Sequence, residues 1–199
     1  MSKVIRFKIS LQDSKPLIWR RFQVSDRYRF DQFHQVIQIV MGWENSHLHK
    51  FECKGTVYEM MMPQLMDAYE EGEDETKYDL RNAKLKKGNK IKYLYDYGDS
   101  WKHTILVEDI VDGDLKVPIC LKGENACPLE DSGGIWGYME KVRVMNDPNN
   151  PEREFWDDVI LERYNYKRFD LEKLNKELQK FGLWINKNPK ATSTPWHQI

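Results

Sequence analysis

Two stretches of the chain gather the side chains that can do chemistry. The first, "YLYDYGDSWKHTILVE" from Tyr93 to Glu108, sets Asp96, Asp99 and His103 among Tyr95, Tyr97 and Trp101 around one glycine, Gly98. The second, "CLKGENACPLEDSGGIWGY" from Cys120 to Tyr138, holds the adjacent acids Glu130 and Asp131, the pair Gly133-Gly134, and then Trp136 and Tyr138. Carboxylates and an imidazole offer oxygen and nitrogen ligands or a general base, so Asp96, Asp99, His103, Glu130 and Asp131 together fit a metal-dependent hydrolase. Neither stretch, however, supplies a complete nucleophile and base set. Aromatic faces beside carboxylates suit a cation or a basic segment of a partner. The favoured expectation is therefore a noncatalytic binding or interaction module. Its cleft would be formed by Tyr95, Asp96, Tyr97, Asp99, Trp101, His103, Glu130, Asp131, Trp136 and Tyr138, and would receive a protein, a peptide or a small-molecule ligand. Each stretch carries polar groups beside aromatics at a glycine-bearing connection, and the two are expected to meet in space. The plainer alternative is a hairpin whose aromatics make cross-strand pairs while Gly98 and Asp99 form the turn.

Other candidates carry less. A glycine-rich loop entering a helix at Ile135 can present amide N–H groups to an anion, but Glu130 and Asp131 just before it repel one. Cys120 and Cys127 lack the spacing of a zinc pair and no fourth ligand follows, so neither structural zinc nor another metal or cofactor is expected. His34 lies in a helix and is read as a surface or boundary residue. His47 and His49 form a His-x-His pair at a strand start, an arrangement used for structure more often than for metal. "KLKKGNKIK" places five lysines around one turn from Lys84 to Lys92, a nucleic-acid patch in one reading and a solubility device at a strand edge in the other.

Strands and helices must position these groups. Ile5, Phe7, Ile9 and Leu11 alternate with Arg6, Lys8 and Ser10, a half-buried strand. After "DSKP" a second strand carries Ile18, Phe22 and Val24 inward, with Arg20 and Ser25 opposite. "FDQFHQVIQIVMGW" has helical spacing, with Asp31 as N-cap and Gly42 as stop. "HLHKFEC" and "TVYEM" read as a hairpin. Residues 60–78, with Glu70, Glu71, Glu73, Asp74 and Glu75, read as an acidic flexible loop. Strands follow over Leu80 to Leu85, Lys90 to Tyr97, Trp101 to Val111 and Lys116 to Cys120, the last two joined by an Asp112-Gly113 hairpin turn. Helices are expected from Ile135, from Asn150-Pro151 with Phe155, Trp156, Val159 and Ile160, and from Asp170 to a stop at Gly182. The order predicts an α+β fold with an antiparallel or mixed sheet of about six to eight strands. One domain over 1–182 and a tail over 183–199 are expected.

Composition narrows the partners. A net charge of -1 gives no global field to drive the chain onto nucleic acid or an anionic membrane. The sequence has no apolar run long enough to cross a bilayer, and "MSKVIRFKIS" enters a strand pattern with no apolar signal core, so a cytoplasmic location without a membrane partner is expected. Three cysteines, Cys53, Cys120 and Cys127, fit reduced thiols.

Four ordered motifs, "SKPLIWRRFQV", "MGWENSHLHKFE", "YLYDYGDSWKHTILVE" and "CLKGENACPLEDSGGIWGY", resemble the plasmid Ri (pRiA-type) ORF-three-like family of largely uncharacterised proteins. The resemblance runs from about Val4 to Leu178 and implies an α+β domain. It also implies a link to mobile elements, since some members are labelled as passengers of insertion sequences with a resolvase-like name. The serines here sit among acids, and "NKNPKATSTPWHQI" is too short for a DNA-reading domain, so a recombinase is not expected. The family commonly has cysteine where this chain has Ser132 and proline where it has Leu129, which argues against a thiol role for that loop.

Overall fold

The computed structural model describes residues 1–61, 72–155 and 164–192. Its α+β architecture rests on one mixed sheet of eight strands: β1 (Lys3–Leu11), β2 (Trp19–Ser25), β3 (His49–Cys53), β4 (Thr56–Glu59), β5 (Glu73–Asp74), β6 (Lys90–Tyr95), β7 (Trp101–Asp112) and β8 (Ile119–Glu124). The spatial order is β5-β4-β3-β6-β7-β1-β2-β8, antiparallel throughout except for the β4–β5 pair. Alternation does most of the positioning. Ile5, Phe7, Ile9 and Leu11 of β1, Tyr93 and Tyr95 of β6, and Trp101, His103, Ile105 and Val107 of β7 all turn to the buried face. The opposite face carries charge, where Arg21 makes a bidentate pair with Glu108 at 2.6 and 2.8 Å.

Helix α1 (Phe30–Met41) is buried along its whole length. Phe33 packs its ring 5.0 Å from Phe7 and 5.6 Å from Phe51, joining the helix to β1 and β3. Its N-cap is Arg29, not Asp31. Gln32 reaches back to the Arg29 N–H, while Asp31 sits inside the first turn and pairs with the Arg29 guanidinium at 2.8 Å. Gly42 ends it in the left-handed region, at φ 95. Helix α2 spans Gly134–Asn146 and α3 spans Leu171–Lys187. Asp170 caps α3 by accepting from Lys173 N. Asn150 accepts from Glu152 N at the head of a 3₁₀ turn, Pro151–Phe155. The expected continuation through Trp156, Val159 and Ile160 lies outside the described residues.

Four expectations are corrected. Leu80 to Leu85 is a series of turns, because Asp79 and Asn82 offer their side-chain oxygens to neighbouring amides and compete with a ladder. Asp112-Gly113 closes no hairpin: β7 is flanked by β6 and β1, so the chain crosses to the free edge of β2 and forms β8 there, over Ile119–Glu124 rather than Lys116 to Cys120. Gly182 does not stop α3, which runs to Lys187. A Cβ at Gly182 would lie 2.7 Å from Val117 and 2.8 Å from Pro118, so the glycine serves close packing, and residues 183–187 are helix rather than tail. Within the acidic stretch, Glu73 and Asp74 form β5 and Glu75 is buried; Glu70 and Glu71 lie outside the described residues. Among the described residues no helix is long and apolar enough to cross a membrane.

Arg20 departs furthest from expectation. It shares the parity of Ile18, Phe22 and Val24 and so points into the core, 2% exposed. Its guanidinium donates to the carbonyls of Val40, Trp19 and Glu124, each at 2.8 Å, and lies 4.6 Å from the Phe169 ring. Burial pulls its pKa down, yet a guanidinium stays charged. Gly123 makes room: a Cβ there would sit 2.7 Å from both Arg20 Cδ and Phe169. Replacing Arg20 by Met is expected to lower stability in urea unfolding by at least about 3 kcal/mol, since hydrogen bonds to charged groups are worth about 1.5–3 kcal/mol each. Arg21→Met, on the solvent face, should cost about 1 kcal/mol or less.

Candidate functional site

The β6–β7 connection builds itself from aspartate. Tyr95 faces Trp101 across the ladder, and the five residues between them turn through two left-handed positions, Asp96 at φ 59 and Ser100 at φ 55. Asp96 Oδ1 accepts from Gly98 N at 2.8 Å, and Asp96 O accepts from Ser100 N at 2.7 Å. Aspartate tolerates the left-handed region because its side chain satisfies nearby amides. The positive φ thus falls on Asp96 and Ser100, not on Gly98, and Tyr97 leaves the buried face, 48% exposed.

The second stretch meets this turn. Asp99 Oδ2 accepts from Gly133 N at 3.1 Å, and the Asp99 carbonyl lies where a Cβ at Gly134 would be, so only glycine allows the approach. Tyr95 donates its hydroxyl to Glu130 Oε1 at 2.7 Å, and the same oxygen accepts from Glu44 N at 2.9 Å. Trp43 Nε1 donates to Pro128 O at 3.0 Å. Three segments converge here: the one after α1, the β6–β7 turn and the loop before α2.

The ten residues expected to form a single cleft fall into distinct environments. Asp99, Trp101 and Trp136 line a groove of about 870 Å³ between the β1–β2 loop (Leu11 to Lys15), Gly98 to Lys102, and the start of α2. Trp101 is its buried floor, 1% exposed, whereas Trp136 stands 84% exposed on the first turn of α2. Asp96 and Asp131 instead face His47, whose Nε2 lies 3.7 Å from Asp96 Oδ2 and 3.2 Å from Asp131 Oδ1. Tyr95 and Glu130 brace the loop. Burial first, then the Glu130 hydrogen bond, raises the Tyr95 pKa, and burial raises that of Tyr97 to about 12. Tyr138 is buried under α2, 1% exposed. The lysines from Lys84 to Lys92 are exposed, and Lys92 pairs with Glu52 at 2.9 Å. Burial raises the pKa of Cys120 to about 11 and that of Cys127 further, so both thiols stay protonated at neutral pH.

His103 lies outside the cleft, in the core, 1% exposed, and among the described residues neither ring nitrogen has a well-aligned hydrogen-bond partner. It borders a buried polar network that sequence reasoning missed. His34 and His49 stack with centroids 3.4 Å apart; His49 Nε2 meets Glu75 Oε2 at 2.7 Å, and His34 meets Tyr93 OH at 2.9 Å and Asn45 Oδ1 at 2.5 Å. The parity of His49 with Phe51 and Cys53 is the signal that could have placed it inside. His34 is thus neither surface nor boundary. Burial lowers the pKa of His49 and of His103 from 6.5 to about 3, and that of His34 well below 6.5. Each imidazole binds a proton just below about pH 6.5 only when unfolded, so its contribution to stability is full above that pH and is lost on acidification, down to about pH 3 for His49 and His103. Glu75, raised by burial from 4.5 to about 7, opposes this between those values, but it is one group against three. The protein should therefore lose stability on acidification below about pH 6.5. His103→Leu should flatten the loss: in urea unfolding at pH 5 it should exceed the parent by up to about 2 kcal/mol, and at pH 7.5 the two should differ by about 1 kcal/mol or less.

The sequence and the fold both have relatives. An uncharacterised protein, y4hQ, of Sinorhizobium fredii is 34% identical over 150 residues, 74% of this chain and 76% of its own length. The crystal structure of a protein of unknown function, MM3350, from Methanosarcina mazei Go1 superposes with a TM-score of 0.74 at 32% identity, covering 87% of this chain and 98% of that one. The model of the plasmid pRiA4b ORF-3-like proteins matches residues 3–173, a span that takes in the sheet, α1, the β6–β7 turn, the Glu130 to Gly134 loop and α2; the chain belongs to that family.

Proposed function

We propose that the protein is a noncatalytic binding module whose groove beside the β6–β7 turn takes a polypeptide segment of a partner protein. Trp136 carries this reading. At 84% exposure it adds almost no buried area to the fold, and a tryptophan at the lip of a concave site is the residue type most enriched among interface anchors. The walls suit a segment of mixed charge, with Asp13 and Asp99 opposite in sign to Lys15 and Lys102. The volume of about 870 Å³ lies within the range of ligand sites, and the groove rests on strand ends and a helix start that hold it in shape.

A metal-dependent hydrolase built on Asp96, Asp99, His103, Glu130 and Asp131 has less support. His103 lies in the core, Asp99 holds the Gly133 amide and Glu130 holds the Tyr95 hydroxyl. A nucleic-acid role rests on the exposed lysines from Lys84 to Lys92 alone. The cytosol is the compartment this reading takes, where three unpaired thiols stay reduced.

The test is a random-peptide phage library panned on the intact protein, with selected peptides measured by fluorescence polarisation. Trp136→Ala should weaken them by roughly 1–3 kcal/mol, roughly 5- to 150-fold in Kd, while leaving the unfolding midpoint unchanged. Trp101→Ala should do the reverse in kind, lowering stability by about 3–5 kcal/mol. Failure to select any peptide, or equal affinity for the Trp136→Ala protein, would remove the proposal.

A further inference from the structure

We propose that His47, Asp96 and Asp131 form a site for one divalent transition-metal ion of the zinc or manganese class. The inference is independent of the groove reading, since none of the three lines the groove. One ligand atom from each of the three lies within 4.8 Å of the other two. His47 Nε2 is 3.2 Å from Asp131 and 3.7 Å from Asp96. Two ligands about 2.1 Å from a tetrahedral ion stand about 3.4 Å apart, so the two spacings from His47 match an ion-bound pair to within a few tenths of an ångström, and the ligand atoms of the two aspartates lie within 4.8 Å of each other.

Two observations within the cluster point to a ligand. His47 Nε2 is shielded from solvent and has no hydrogen-bond partner among the described residues. The Asp96 side chain is 9% exposed, and among the described residues only its Oδ1 accepts a hydrogen bond, from Gly98 N. Its Oδ2 lies 3.7 Å from His47 Nε2, too far for a hydrogen bond. An imidazole nitrogen shielded from solvent with no hydrogen-bond partner among the described residues is costly for the protein alone, and an ion held between it and Asp96 Oδ2 satisfies it. Asp131, its side chain 78% exposed, closes the cluster from the solvent side and leaves an approach for the ion and for water. One nitrogen and two carboxylate oxygens suit zinc or manganese, whereas magnesium and calcium favour all-oxygen sets. Glu130, next to Asp131 in the chain, is held by Tyr95 OH and Glu44 N, which fixes the loop that carries Asp131.

The experiment is equilibrium dialysis of the full chain against Zn²⁺ and against Mn²⁺, with bound metal quantified by mass spectrometry and affinity measured by calorimetry. The parent should bind one ion with a rise in its thermal midpoint. Asp131→Asn, which removes the charge while tolerating the left-handed backbone at φ 54, and His47→Gln should each weaken binding at least about tenfold, with circular dichroism reporting an unchanged fold. Asp114→Asn, on the exposed β7–β8 connection away from the triad, should bind as the parent does. Absence of saturable binding by the parent, or binding by the Asp131→Asn and His47→Gln proteins equal to that of the parent, would overturn the assignment. The second result would place the ion on other residues. Neither outcome bears on peptide affinity at Trp136, so the two proposals fail separately.

Discussion

A buried guanidinium with no carboxylate partner among the described residues is the constraint around which this fold is arranged. Arg20 extends inward from β2 and gives its hydrogens to three carbonyls: Trp19 in its own strand, Val40 in the last turn of α1 and Glu124 at the end of β8. Taking the charge out of water is unfavourable, and the compensation comes from charge-assisted bonds, one of them at a helix C-terminus where the macrodipole favours a cation. The clamp reaches the candidate site through connectivity. The segment carrying Trp43 and His47 leaves from the helix end that Arg20 holds, and the loop carrying Glu130, Asp131 and Gly133 leaves from the strand end that it holds. Both arrive at the Asp96 to Ser100 turn, so the position of one arginine in the core governs how three surface segments meet.

Burying α1 completely imposes a second constraint, because the helix carries polar side chains into the interior. Gln38 donates to Tyr93 OH at 3.0 Å and accepts from Asn45 N at 2.9 Å, which draws the chain after α1 back over the helix end. His34 and His49 stay neutral against one another, and Glu75 reaches His49 from beside β5. Such a network is stable only when its members are satisfied, and here it ties α1, β3, β6 and the β5 segment into one unit. The cost is sensitivity to acid, since protonating any of these rings places a charge where none is solvated.

Much of the architecture is legible in residue parity. Alternation in β1, β2, β6 and β7, the glycine stop after α1 and the aspartate cap of α3 all follow from local rules, and local rules act within a few residues. Arg20 was legible too, for strict alternation with Ile18, Phe22 and Val24 turns it inward; residue type misled where position was right. What local pattern could not supply is which strand edge remains free. Asp112-Gly113 suits a tight hairpin, yet β1 already occupies that edge of β7, and the chain has to travel on to β2. Gly182 failed for a similar reason, since a glycine needed for close approach to Val117 and Pro118 has the same letter as one that ends a helix. At the candidate site, sequence paired two stretches that do meet in space but could not tell floor from lip. Trp101 and Trp136 look alike in a motif and differ wholly in exposure. His47, dismissed as half of a structural pair, proved to be the histidine that faces the carboxylates, because His103 has the parity of the core.

The β6–β7 turn resolves a conflict that its composition poses. A turn crowded with acids should be loosened by repulsion, but each carboxylate has separate work. Asp99 is anchored to the Gly133 amide, and Asp96 divides its two oxygens, one closing the turn on Gly98 N and the other left facing His47. A ligand drawn to the free oxygen therefore need not break the hydrogen bond that makes the turn, and the left-handed backbone at Asp96 is held by the Ser100 N–H as well. Since the same five residues carry Asp99 to the groove and Asp96 to the cluster, displacing the turn would move both together. Glycine at 134, where the Asp99 carbonyl leaves no space for a side chain, fixes the far side of that arrangement, so the turn has one seat against α2. Rigid placement of this kind suits a recognition surface, in which preorganised groups lose little entropy on meeting a partner.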